Sequence, residues 1–138
     1  MKVNKIILHH SLTEDDMRVS WSAIRDYHIR QKGWKDIGYH YGIERAGSSY
    51  EIFVGRLEDE DGAHTVGQND VALGICFVGN FDVAPVPERQ WELGLKLVRG
   101  ILRRYKSLTP FDVFGHRHFA HKSCPGKLFS IMGFREAI

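Results

Sequence analysis

Between Ala72 and Phe81 the sequence reads ALGICFVGNF, apolar at nearly every position and far too short to cross a membrane. A run of this length, rich in β-branched and aromatic residues and without polar alternation, is expected to be a strand covered on both faces. Such a strand sits in the middle of a sheet. The rest of the chain must therefore supply two covering layers.

The flanking segments can supply them. KIILHH, from Lys5 to His10, reads as a second short buried strand. GYHYGIER and SSYEIFVGR flank the turn residues AGS and read as a hairpin, and DVFGHRH reads as a final strand. Helical spacing appears in WSAIRDYHIRQ, where Ser20 can cap the start, Gly33 can stop the end, and Trp21, Ile24 and His28 share a face. His28 is accordingly expected to pack against the core. The longest helix is expected in PERQWELGLKLVRGILRRYK, which puts Trp91, Leu95, Val98, Leu102 and Tyr105 on one stripe, and LFSIMGFREAI closes the chain with a short helix. Strands and helices interleave, so the expected fold class is α/β, with a mixed central β-sheet flanked by helices. At 138 residues, with no internal repeat or linker, one domain is expected over residues 1–138.

Composition narrows the function classes. Hydrophobic residues at 43% and charged residues at 26% are globular values and exclude a disordered chain. A net charge of +2, with LRRYK as the one short basic cluster, leaves no nucleic-acid footprint. The Ile6–Leu8 run is shorter than the apolar core of a signal peptide and no segment reaches membrane length, so the expectation is a soluble product made in the cytoplasm, without membrane insertion and monomeric. Cys76 and Cys124 are expected as reduced thiols, Cys76 as a small buried hydrophobe. The charges of the LEDEDGAH loop are expected to be solvated.

Chemistry concentrates in the histidines. The chain has eight, most of which by residue type alone would be surface or core groups. GHRHFAHKSCPG, however, gathers three histidines, a lysine and a cysteine within Gly115–Gly126. His116 and Cys124 are too far apart for one helical turn, but a strand end and a loop can bring both to one ion. The end of the first strand offers His9 or His10 as a third ligand. Adjacent strand residues point to opposite faces, so an ion can take one of them and hardly both. Imidazole and thiolate suit zinc, and three protein ligands with an open fourth position is the catalytic pattern.

ILHHS, DIGYHYGI, GAHTVGQND, LGICFVGNF and GHRH…KSCPG stand in the order found in zinc-dependent N-acetylmuramoyl-L-alanine amidases, and the chain resembles their phage-lysozyme and peptidoglycan-recognition-protein branch from about Ile6 to Gly126. The resemblance implies a zinc ion held by His9, His116 and Cys124, and hydrolysis of the amide between the lactyl group of muramic acid and L-alanine. It implies Tyr39 and Lys122 as catalytic residues, His64 as a histidine of the substrate groove, and bacterial peptidoglycan or muropeptides as the partner. A phage or prophage endolysin, acting on the cell wall after release, is the expected biology. The alternatives are a muropeptide-recycling amidase and a non-catalytic recognition domain. Cys124 speaks against the latter, because non-catalytic relatives typically lose the cysteine ligand. His118 and His121 are candidates to support the site from outside, and His40 for none of these roles. Two features depart from the common pattern: His10 directly after the first ligand, and the acidic LEDEDG, expected to alter the groove rim.

Overall fold

The computed structural model describes residues 1–13 and 20–138. Its order is β1 (Lys5–His10), α1 (Trp21–Arg30), β2 (Tyr41–Ala46), β3 (Ser49–Val54), β4 (Ala72–Phe77), α2 (Glu88–Arg104), β5 (Val113–Gly115) and α3 (Ile131–Ala137). The five strands form one sheet in the order β3-β2-β4-β1-β5. All neighbouring pairs are parallel except β2–β3, the antiparallel hairpin. The apolar run that required a central position occupies it: every residue of β4 is buried.

Alternation along the strands divides the core in two. Ile6 and Leu8 of β1 and Leu73, Ile75 and Phe77 of β4 face α2 and α3, where Leu95, Val98, Ile101, Phe129 and Phe134 cover them. Burying each such side chain contributes roughly 1.5–3 kcal/mol. On the opposite face Cys76 packs with Trp21 of α1 and Ile37. His9 pairs in register with Cys76. It therefore belongs to this second, thinner layer, where the sheet is left accessible.

The ends of the elements follow local chemistry. Ser20 caps α1, its Oγ accepting from the Ala23 N–H at 3.3 Å, and Ser130 caps α3 through the Gly133 N–H at 2.9 Å. The final strand is shorter than expected, because β5 ends at Gly115 and His116–His118 form a 3-10 turn. GYH precedes β2 rather than belonging to it. Glu58 of the acidic loop is half-buried instead of freely solvated, hydrogen-bonded to the Tyr41 hydroxyl, to the Tyr105 hydroxyl at 2.9 Å and to Arg104 at 2.6 Å, while Asp59 and Asp61 are exposed. Glu60 is paired with Lys35 at 2.9 Å. The loop is anchored to the end of α2 and to Lys35, and its acidic part, residues 57–62, lines neither of the two cavities at the site. Among the described residues, no helix is long and apolar enough to cross a membrane.

Candidate metal centre and active site

His9 lies near the carboxyl end of β1 and His116 directly follows β5, which pairs with β1 through Leu8 and Gly115. Two parallel neighbours thus deliver both imidazoles to one edge of the sheet, where open α/β sheets place their sites. Cys124 arrives on the loop that follows. One potential ligand atom from each of the three residues lies within 4.8 Å of the others. Sγ of Cys124 is 3.7 Å from Nδ1 of His9; two ligands on a tetrahedral zinc would be about 3.5 Å apart. In donor type and spacing the cluster fits such an ion.

The cysteine loop is held by groups that carry no obvious signal in the sequence. Arg117 accounts for much of it. Its N–H donates to the Cys124 carbonyl at 2.8 Å, and its guanidinium donates to the carbonyls of Gly126 and Phe129, both at 2.8 Å. Asp82 takes the Ser123 hydroxyl and the Lys127 N–H, both at 2.9 Å. The His10 N–H donates to Sγ of Cys124 at 3.4 Å. The His10 ring faces the other way, its Nδ1 accepting from the Phe81 N–H at 3.1 Å.

The cluster opens into a cavity of about 530 Å³ bordered by Tyr39, His64 and Lys122 as well as the three candidate ligands. A second cavity of about 480 Å³ continues from it, sharing Lys32, Trp34, Ala63, His64, His116 and Lys122. Together they form a groove. Among the described residues no aspartate or glutamate lines either part, and two lysines do.

Burial sets the protonation of the site. It holds His9 well below the usual imidazole range, helped by the neighbouring His64, His116, His10 and Lys122. His116 is lowered by burial and by Lys122. The Cys124 thiol is pushed up to about 11, burial outweighing the His10 N–H and Lys122, which favour the thiolate. The phenol of Tyr39 is raised well above 10, mainly by burial against the Trp21, Ile37 and Cys76 cluster. At neutral pH the cluster without a metal is thus two neutral imidazoles and a thiol.

Residues 1–127 match the family model for N-acetylmuramoyl-L-alanine amidase. The chain belongs to this amidase family. The endolysin of Enterobacteria phage K11 is 32% identical over 126 residues, covering 90% of this chain and 81% of that protein. Peptidoglycan-recognition protein LB of Drosophila melanogaster is 32% identical over 135 residues, covering 91% of this chain and 56% of its own length. Among solved structures, the N-acetylmuramoyl-L-alanine amidase LysC of Clostridium intestinale superposes with a TM-score of 0.85 at 30% identity, covering 99% of this chain and 85% of the other.

In this amidase the structure brings His9, His116 and Cys124 together, with Tyr39, Lys122 and His64 around them. It leaves three other histidines apart. His40 is fully buried, accepting from the Gly74 N–H at 3.1 Å while its Nε2 donates to the Glu60 carbonyl at 2.8 Å. His118 packs on Phe114 with Nδ1 turned to the Gly115 backbone, and His121 is exposed. His28 is half-buried and borders the cavity instead of the core, its Nδ1 accepting from the Gly38 N–H at 3.0 Å. Cys76 is a free, fully buried thiol, as expected, but it also touches Tyr39. Apolar neighbours in sequence gave no sign of that contact.

Proposed function

We propose that the chain is a zinc-dependent N-acetylmuramoyl-L-alanine amidase of the endolysin type, hydrolysing the amide between the lactyl group of N-acetylmuramic acid and the L-alanine of the stem peptide. The observation that carries this reading is the three-donor cluster at the floor of an open groove in a member of the amidase family. His9, His116 and Cys124 hold the ion. Three protein ligands leave one position for the reaction, whereas a structural site would close with four. Zinc supplies a Lewis acid for the scissile carbonyl and a nucleophile from water near neutral pH.

The remaining steps belong to the chain's own side chains. To hold the ion, the Cys124 thiol would have to be deprotonated. Lys122, exposed at the rim, places a positive charge where the carbonyl oxygen becomes negative. Tyr39 stays protonated at neutral pH, so its hydroxyl acts as a hydrogen-bond donor that orients the substrate. A groove to which, among the described residues, two lysines and no carboxylates contribute suits a stem peptide, which carries carboxylates of its own. The similarity to phage endolysins favours action on the wall after release from the cell, over muropeptide recycling. Retention of the cysteine favours hydrolysis over recognition alone. A monomer suffices, since the cluster is complete within one chain.

Purified peptidoglycan digested with the protein, with and without chelator and then with zinc restored, tests the reading. Mass spectrometry should find stem peptides freed at L-alanine, lost on chelation and recovered with zinc. Binding to the wall without release, in protein shown to hold zinc, would make the chain a recognition domain.

A further inference from the structure

His64 borders the groove, yet both of its ring nitrogens are already engaged behind the metal cluster. Nε2 lies 3.1 Å from the Ala72 carbonyl oxygen. A carbonyl can only accept, so Nε2 carries the proton and Nδ1 of the neutral ring is a bare acceptor. That Nδ1 is 3.0 Å from Nε2 of His9 and 2.9 Å from the Thr65 hydroxyl, which is itself 3.3 Å from Nε2 of His9. Were Nε2 of His9 unprotonated, two lone pairs would face each other at 3.0 Å. Nε2 of His9 must therefore donate, directly to His64 or through the Thr65 hydroxyl. Its proton cannot then sit on Nδ1, the atom 3.7 Å from Sγ of Cys124.

The fold is built around this ring. A Cβ on Gly74, in the middle of β4, would come within 2.5 Å of the His64 imidazole, and one on Gly62 would do the same. The Asn69 side chain accepts from the N–H groups of His64 and Thr65, at 2.8 and 2.9 Å. Glycine costs a strand some stability. Here it leaves the space that lets the imidazole lie against β4.

We propose that His64, with Thr65, is a positioning residue: anchored on the Ala72 carbonyl, it fixes His9 as the tautomer whose Nδ1 presents its lone pair to the metal. The inference rests on the zinc reading above and assigns His64 to the support of a ligand instead of to the substrate. Partners of this kind orient ligating histidines and raise their basicity.

The test uses zinc alone, with affinity measured by competition against a chelator at fixed pH. His64→Leu removes the acceptor and should weaken zinc binding roughly 10–100-fold. His64→Asn places an amide oxygen where Nδ1 was and should recover most of the loss. Equal affinity in His64→Leu, or no recovery in His64→Asn, would overturn the proposal. Long-range nitrogen–proton NMR of zinc-loaded wild type needs no variant and should show His9 and His64 both protonated at Nε2; a proton on Nδ1 of His64 would overturn it equally. Wild-type protein that takes up no zinc would instead sink the metal reading itself.

Discussion

Sγ of Cys124 stands 3.7 Å from Nδ1 of His9 although 115 positions of chain separate the two residues. Neither side chain reaches this place through its own local structure. His9 is delivered by a central strand and Cys124 by a loop that Arg117 and Asp82 hold. Substitutions should thus separate ligands from neighbours. Cys124→Ala and His116→Ala are expected to lower bound zinc from about one ion per chain to a trace and to abolish hydrolysis. His10→Ala should keep its zinc, because that ring faces Phe81. Elemental analysis of the purified variants decides; zinc lost from folded His10→Ala would reassign the ligand.

Lys122 should separate chemistry from metal binding. It is exposed at the groove and among the described residues its side chain makes no hydrogen bond or ion pair, so Lys122→Ala should retain zinc and fold while kcat falls on the order of 100-fold, the scale of one lost donor to a developing oxyanion. Tyr39→Phe keeps the ring contact with His9, whose centroid is 5.2 Å away, and removes only the hydroxyl. Its loss should be smaller. Unchanged kcat in both variants would leave the ion alone responsible for the rate.

The sheet was legible in sequence because it depends on local signals, whereas the choice of His9, His116 and Cys124 as proposed ligands came from the resemblance of the motifs. The unbroken apolar run marked β4, strand alternation set His9 against His10, and Ser20 announced the start of α1. What was illegible depends on contacts between distant segments. Nothing in GAH says that the imidazole of His64 lies against Gly74 and meets His9, 55 positions earlier. Nothing in LEDEDG says that Glu58 pairs with Arg104, 46 positions later. Arg117 looks like one more charged residue beside the histidines, yet its guanidinium organises the cysteine loop.

Gly74 offers a way to disturb the site without touching any of its functional groups. An alanine methyl would come within 2.5 Å of the His64 ring in a sheet centre that has no room to spare. Gly74→Ala should cost about 1–3 kcal/mol of stability. It should also weaken zinc binding, because the ring that must move is the one hydrogen-bonded to His9. Denaturant midpoints of the metal-free protein and zinc competition read the two effects separately. A stability loss with unchanged zinc affinity would show that the His64 ring can shift without disturbing His9.

Acid should unfold the metal-free protein through the same histidines. Burial holds His9 well below the ordinary imidazole range and His64 down to about 3. In the unfolded chain both titrate near 6.5. Above that pH neither state binds the protons and the histidines leave stability unchanged. Below it the unfolded chain takes up protons that the folded site refuses, so stability falls, by up to about 1.4 kcal/mol per pH unit for each such group. His10, His28, His40 and His116, lowered chiefly by burial, add in the same direction. Asp82 and Glu60, also held low, begin to matter only nearer the usual carboxylate range, whereas the raised Cys124 and Tyr39 act only at alkaline pH. The interval from pH 6.5 to 5 therefore isolates the histidines. Urea midpoints of chelator-treated protein should drop steadily across it, and the decline should be shallower in His64→Asn, which lacks one of the groups. A midpoint flat from pH 7 to 5 would mean that these rings accept protons in the folded state, and the neutral relay from Ala72 through His64 to His9 would have to be abandoned.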